Sequence, residues 1–321
     1  MLIEYVNITD IPGIKLGNAE DLTGGTGCTV ILCEKGGVAG VDVRGGAPGT
    51  RETDLLNPVK MMDRIHGIML AGGSAFGLDA AAGVMEYLES KSIGFDIGVT
   101  KVPIVSAAVL FDLPVGDYRC RPDKEMGYRA CINAENGRFS EGSVGAGTGA
   151  TVGKILGMDK AMKGGLGSFC IKNGSLYVGA VVAVNCFGDV VDPDTGEILA
   201  GAYIPEEKRF VNTESLIMVS RKKEDNPFVG NTTIGCLITN ARLSKAEANK
   251  VASMAHNGYA RSIRPVHTMY DGDTIFCLAT GEIEADVNQI GVLAVKAVEQ
   301  AVVNGIKKAV PLFGIRTYSQ R

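Results

Sequence analysis

Apolar positions along this chain recur with two periods, and the switching between them predicts a mixed α and β protein. β-Branched runs at 28–33 and 38–43, separated by Lys35-Gly36-Gly37, predict two short strands joined by a turn. The run 65–71 predicts a buried strand that ends in Gly72-Gly73. Ser74 is then expected to cap a helix to about Leu88, with Phe76, Ala80, Val84, Tyr87 and Leu88 on one face. Residues 117–142 are polar and poorly periodic, which predicts an irregular excursion. Between 168 and 185, two apolar strands flank Asn173-Gly174, a hairpin signal. Residues 198–212 and 222–230 predict loops around a strand at 215–219. The polar segment 221–227 reads as exposed, and a buried strand follows Thr232-Thr233. Ser244-Lys245-Ala246-Glu247 is a capping box opening a helix to about Tyr259. A buried strand at 274–279 and a striped helix at 290–303 complete the set.

Hairpins mixed with long helices, and no βαβ repeat, predict an α+β fold with helices on both faces of stacked antiparallel sheets. No internal repeat, coiled coil or low-complexity tract is present. A length of 321 residues allows one large domain or two small ones. With 45% hydrophobic and 21% charged residues, the chain can bury a large core. The net charge of −4 argues against a nucleic-acid partner, which needs clustered Lys and Arg. No apolar run reaches the ~18–20 residues of a membrane span, and the first five residues carry no secretory signal. The eight Cys form no C-x-x-C pair and sit in apolar runs, so reduced core thiols and a cytoplasmic location are expected.

The chemistry centres on Gly230-Asn231-Thr232-Thr233-Ile234-Gly235-Cys236. A loop, an Asn, a Thr and a buried strand are what a self-cleaving enzyme needs. Cleavage between Asn231 and Thr232 would give Thr232 a free α-amine beside its own hydroxyl, placing base and nucleophile in one residue. An α-amine titrates near ~7.7–8.0, so it works as a base where an ordinary Lys does not. Taken alone, Asn-Thr-Thr is also ordinary strand-entry sequence. Other stretches add to it: Thr26-Gly27-Cys28-Thr29-Val30, the long run from Gly40 through Arg44-Gly45-Gly46-Ala47-Pro48-Gly49-Thr50-Arg51-Glu52-Thr53-Asp54, and Ala71-Gly72-Gly73-Ser74-Ala75-Phe76-Gly77. Gly145-Ala146-Gly147-Thr148-Gly149, Val184-Asn185-Cys186-Phe187-Gly188-Asp189 and Asp271-Gly272-Asp273-Thr274 follow. In order and content these resemble the L-aminopeptidase/D-esterase family, which includes the β-aminopeptidases and a pantetheine hydrolase.

The resemblance implies a four-layer αββα sandwich, like the Ntn hydrolases with different connectivity, and a homo-oligomer, usually a tetramer. It implies one domain, 1–321, processed into 1–231 and 232–321, that releases N-terminal residues from short peptides or amino-acid amides without cofactor or metal. Asn185, at a strand end, either fixes the Gly188 turn or aims its amide at an oxyanion; family members place an oxyanion Asn in this motif. Asp271 and Asp273 either close an Asx turn or bind the Thr232 amine. Relatives carry a hydroxyl residue and a carboxylate at that spacing, so Asp271 departs in type, and Thr274 is the alternative hydroxyl. Backbone N–H groups of Gly147 and Thr148 are expected to line the pocket, and Glu141 is a candidate for the substrate ammonium. Some relatives have a Tyr after the Gly-Thr-Gly motif, where this chain has Thr151-Val152-Gly153-Lys154.

Arg44 and Arg51 are expected to brace their glycine-rich loop or bind a substrate carboxylate. His66, His256 and His267 are expected to be structural or at the surface, His267 being the one near Asp271. Ser74 lies in no G-x-S-x-G elbow, because Phe76 takes the last Gly position. Gly72-Gly73 lacks the following Lys-Ser or Lys-Thr of a phosphate loop. An acyltransferase of the ornithine acetyltransferase type, which shares the self-cleaving Thr, and an uncleaved, non-catalytic homologue are the rival readings.

Overall fold

The computed structural model describes residues 3–219 and 230–321. Its main strands are β1 (Ile3–Val6), β2 (Lys15–Asp21), β3 (Thr26–Val43), β4 (Ile65–Ala71), β5 (Val105–Val109), β6 (Gly165–Asn173), β7 (Leu176–Val184), β8 (Ile234–Ala241) and β9 (Thr274–Ile283). Its main helices are α1 (Ala80–Ser90), α2 (Lys124–Ala134), α3 (Lys245–Ser262) and α4 (Val287–Lys307).

One sheet runs β1-β6-β7-β8-β9-β3 and the other is built from β2, β3, β4 and β5, so β3 belongs to both. The turn expected at Lys35-Gly36-Gly37 is absent, and β3 is a single strand of 18 residues. Gly36 has φ +75°, and the pairing with β4 jumps from Leu32↔Gly67 to Gly37↔Ile65. A left-handed Gly serves a bulge as well as a turn, and here it bends a continuous strand. The all-antiparallel expectation also fails at two ladders: β8–β9 and β4–β5 are parallel. α3 and α1 are the crossovers that such pairs require.

Alternation along the strands divides the core. Val181, Ile234, Cys236, Phe276 and Leu278 face Ile31, Ile68 and Leu70 between the sheets. Val178, Val182 and Leu237 face Val251, Val298 and Val302 of α3 and α4. Val30, Leu32 and Met69 face Val84, Leu88 and Ala130 of α1 and α2. The layers are therefore helix, sheet, sheet, helix, the expected αββα sandwich of the α+β class. Every Cys is free, and all but Cys120 are buried.

The Ser244 capping box forms at the start of α3. Ser74 is not a cap: it has φ +54°, and its N–H donates to Leu110 O at 2.9 Å. Phe76 is 59% exposed, lying under the Arg121 guanidinium rather than on the apolar face of the helix. Helix α2 fills the middle of the expected excursion, where Gly83 and Gly127 let α1 and α2 pack backbone to backbone. Close packing through glycine leaves little apolar periodicity to read. Residues 213–219 form a short helix instead of a strand, and three short strands stand within 198–211 where loops were expected. The segment 221–227 lies outside the described residues. Among those described, no helix is long and apolar enough to cross a membrane.

Candidate active site

Three strand ends meet at Thr232. β7 runs antiparallel to β8, with Ala183 opposite Ile234. The next step of that ladder is Thr232 N–H donating to Asn185 O at 2.9 Å. β9 runs parallel on the other side, with Ile234 beside Thr274, and the pairing extends back to an Asn231–Asp271 bridge. Asn185, Asn231, Thr232, Asp271 and Asp273 thus converge because the ladders bring them together. All five are buried, Thr232 at 4% being the most exposed.

The Asn231–Thr232 peptide is held from two directions. Gly272 N–H donates to Asn231 O at 2.9 Å, and Thr232 Oγ1 donates to the same carbonyl oxygen. Gly272 must be small, since a methyl there would lie 2.6 Å from both Thr232 Oγ1 and Ala47 O. The hydroxyl and the Asn231 carbonyl are in contact, and a backbone donor points at the carbonyl oxygen, an arrangement that could support attack on that carbonyl.

Asn185 is held at both ends. Its Oδ1 accepts from Thr151 N–H and from Lys154 Nζ, each at 2.9 Å, and its Nδ2 donates to Phe111 O at 3.0 Å. An ammonium can only donate, so Lys154 fixes which end of the amide is oxygen. Lys154 Nζ also reaches Asn185 O at 3.1 Å, the carbonyl that receives Thr232 N–H. Burial pushes Lys154 down to about 8, opposed by Cys186, Asp271 and Asp112. Sequence reasoning quoted Lys154 only as part of the segment that lacks a Tyr. Its signal was a lone cation in a glycine-rich apolar run, although a snorkelling surface Lys looks the same.

Asp271 accepts from Phe187 N–H at 3.0 Å, Thr268 N–H at 3.1 Å and Thr268 Oγ1 at 2.6 Å. Burial, reinforced by Asp273, raises it to about 6. Asp273 accepts from Thr233 N–H at 2.8 Å and from His267 N–H and Nδ1 at 3.0 and 2.9 Å. In the intact chain Asp273 holds the N–H that follows Thr232, the Asp271 carboxylate is taken up by Phe187 and Thr268, and the N–H of Thr232 itself goes to Asn185 O. The Thr274 hydroxyl donates to Gly272 O at 2.9 Å.

Other expected residues have partners of their own. The N–H groups of Gly147 and Thr148 close their own turn onto Val144 O and Gly145 O, at 2.9 and 3.1 Å. Buried Lys163 underpins that turn, its Nζ reaching Gly147 O, Ala150 O and Gly164 O at 2.8, 2.9 and 3.1 Å. Glu141 accepts Ser168 N–H at 2.7 Å, pairs with Lys308, and lines a separate cavity of about 390 Å³ with Asn7, Phe139 and Asn304. Arg44 braces its loop through Asp42 and Ser253. His66 and His256 are buried, as a structural role requires.

The model of peptidase family S58 matches residues 7–319. An uncharacterized aminopeptidase of Mycobacterium leprae is 41% identical over 97% of this chain and 93% of its own length. The 6-aminohexanoate-oligomer endohydrolase of Paenarthrobacter ureafaciens is 34% identical over 86% of this chain and 75% of its own. Among solved structures, the L-aminopeptidase D-Ala-esterase/amidase of Ochrobactrum anthropi, described as a variant of the Ntn hydrolase fold, superposes with a TM-score of 0.71. It covers 96% of this chain and 87% of its own at 19% identity, a likeness of fold. The chain belongs to peptidase family S58.

Proposed function

We propose that this protein cleaves itself between Asn231 and Thr232 and then hydrolyses the amide bond after the N-terminal residue of short peptides or amino-acid amides, with Thr232 as nucleophile. The observation that carries this reading is the contact of Thr232 Oγ1 with the Asn231 carbonyl, together with the Gly272 N–H on that oxygen. In the first step Oγ1 adds to the Asn231 carbonyl carbon and the C–N bond breaks. The hydroxyl proton goes to the departing amine, leaving an ester. Water then splits the ester, giving an Asn231 carboxylate and a free Thr232 α-amine.

That amine remains beside Asn185 O, and Lys154 Nζ bears on the same oxygen. A cation there disfavours the ammonium form and keeps the amine available as a base. In turnover the amine takes the Oγ1 proton as Oγ1 attacks the substrate carbonyl. It returns that proton to the leaving amine, and water releases the acyl group. Asn185 Nδ2, which donates one hydrogen to Phe111 O in the intact chain, has a second hydrogen to offer the oxyanion. Relatives named as aminopeptidases and as an oligomer endohydrolase share the amide bond as target.

The test is intact mass under denaturing conditions, beside turnover of an amino-acid p-nitroanilide panel. Two fragments are expected, one beginning Thr-Thr-Ile-Gly, and Thr232→Ala should remain whole and inert. A single full-length species in fully active protein overturns the mechanism.

A further inference from the structure

We propose that His267 is a positioning residue for this reaction, clamping Asp273 and through it the backbone that presents Thr232; the inference rests on the nucleophile reading above. Asp273 is fully buried and holds the first N–H after the nucleophile, Thr233 N–H at 2.8 Å. A buried carboxylate needs donors on both oxygens. His267 supplies two to Oδ2, its backbone N–H at 3.0 Å and ring Nδ1 at 2.9 Å. Among the described residues Asp273 has no Lys or Arg ion pair, and the His267 imidazole is the side chain that meets its Oδ2. Since a carboxylate only accepts, Nδ1 carries the proton.

Two features show that the site is built around this bond. His267 holds φ +58°, the left-handed region that costs a non-glycine residue. There its backbone and ring face the same oxygen. The outer face of the ring packs edge-on against His256 at 4.8 Å and near Tyr259 at 6.4 Å. Among the described residues His267 Nε2, like Tyr259 Oη and His256 Nδ1, has no hydrogen-bond partner, so the ring's polar contact there is with Asp273. Burial pushes His256 down to about 4, so it packs as a neutral ring. Its Nε2 engages Asp42 O at 2.9 Å, and the Arg44 guanidinium, whose charge also disfavours protonated His256, is bound to Asp42 and Ser253. On the other side Asp271 is held by Phe187 and Thr268, and buried Cys236 lies one strand position beyond Gly235.

Three substitutions separate the donor from the backbone. His267→Gly relieves the left-handed strain and removes the ring. His267→Asn tolerates the same φ and restores a short-range N–H donor. His267→Ala loses both. A hydrogen bond to a charged group has the strength to move a rate by about ten- to a hundredfold. His267→Gly should lower kcat and the rate of self-cleavage by about that factor, with KM within about twofold. His267→Asn should recover most of the loss at a matching Tm, and His267→Ala should be no better than the Gly variant. Wild-type kcat and cleavage in His267→Gly overturn the inference. So does a His267→Asn variant as slow as His267→Gly at equal Tm. Thr232→Ala is assayed in parallel. If it is inert while His267→Gly behaves as wild type, the inference alone falls. If it is fully active, the nucleophile reading falls and takes the inference with it.

Discussion

Replacing Gly272 by Ala tests how closely Thr232, the proposed nucleophile, is fitted to its surroundings. The added methyl would meet Thr232 Oγ1 at 2.6 Å, Ala47 O at 2.6 Å and Pro48 Cα at 3.1 Å. Carbon–oxygen pairs do not settle below about 3.0 Å, so at least one neighbour must move by roughly half an ångström. Ala47 is tied by its N–H to Asp271 O at 2.8 Å, which leaves the Thr232 hydroxyl as the softer partner. Gly272 lies outside the left-handed region, so the penalty is steric. Overpacking of this kind costs about 1–3 kcal/mol, which in a chain of 321 residues is roughly 2–5 °C in Tm. The effect on chemistry should be larger in proportion, since a displacement of about 1 Å at a reacting atom can cost ~10²-fold. Denaturing mass spectrometry over time measures cleavage, p-nitroanilide release measures turnover, and calorimetry gives Tm. Slow cleavage, slow turnover and a small loss of Tm are expected together. In a Thr232→Ala background the Oγ1 contact is gone, and the Tm penalty of Gly272→Ala should shrink. Wild-type cleavage and turnover in Gly272→Ala would show that Thr232 Oγ1 does not occupy this position in the working protein.

Two further outcomes follow from the same contacts. Asn185→Ala should lower kcat by ~10²–10³, as loss of one oxyanion donor does. It should also lower Tm, because Thr151 N–H and Lys154 Nζ lose the Oδ1 acceptor and Phe111 O loses the Nδ2 donor; unchanged kcat with lower Tm assigns Asn185 to the turn. Lys154, held near 8 in the fold against 10.5 ordinarily, binds its proton more tightly in the unfolded chain. Its contribution to stability therefore rises with pH between those values, by on the order of 3 kcal/mol at most. The stability of wild type relative to Lys154→Met should climb from pH 8 to 10, and a flat difference would mean the ammonium is not desolvated.

The sequence was legible where local rules and tertiary packing agree. The Ser244 box, the Asn173-Gly174 hairpin and the strand after Thr232 are local signals that the fold keeps. β3 was misread because Gly36 marks a bulge in the same letters that mark a turn. α2 escaped because Gly83 and Gly127 replace the apolar stripe with backbone contact. At the site, Thr232, Asn185, Asp271 and Asp273 could be singled out by type and motif. Lys154 and His267 could not, since what distinguishes them is desolvation and a shared carboxylate, both created by folding. Glu141, chosen for its charge, is taken up by Lys308 and Ser168 N–H.

The order of strands in the larger sheet bears on what a cut at Asn231 would leave behind. β8 and β9 come after that point in the chain, yet they lie between β7 and β3, which come before it. α3 and α4, which cover this half of the sheet, come after it as well. The two pieces are thus dovetailed: neither keeps the larger sheet whole alone, and parting them would bare raw strand edges on both. A severed chain of this topology should travel as one particle in native solution and come apart only when the whole fold melts. Such a scission would follow folding without undoing it, because the pieces would have been fitted to each other while still joined.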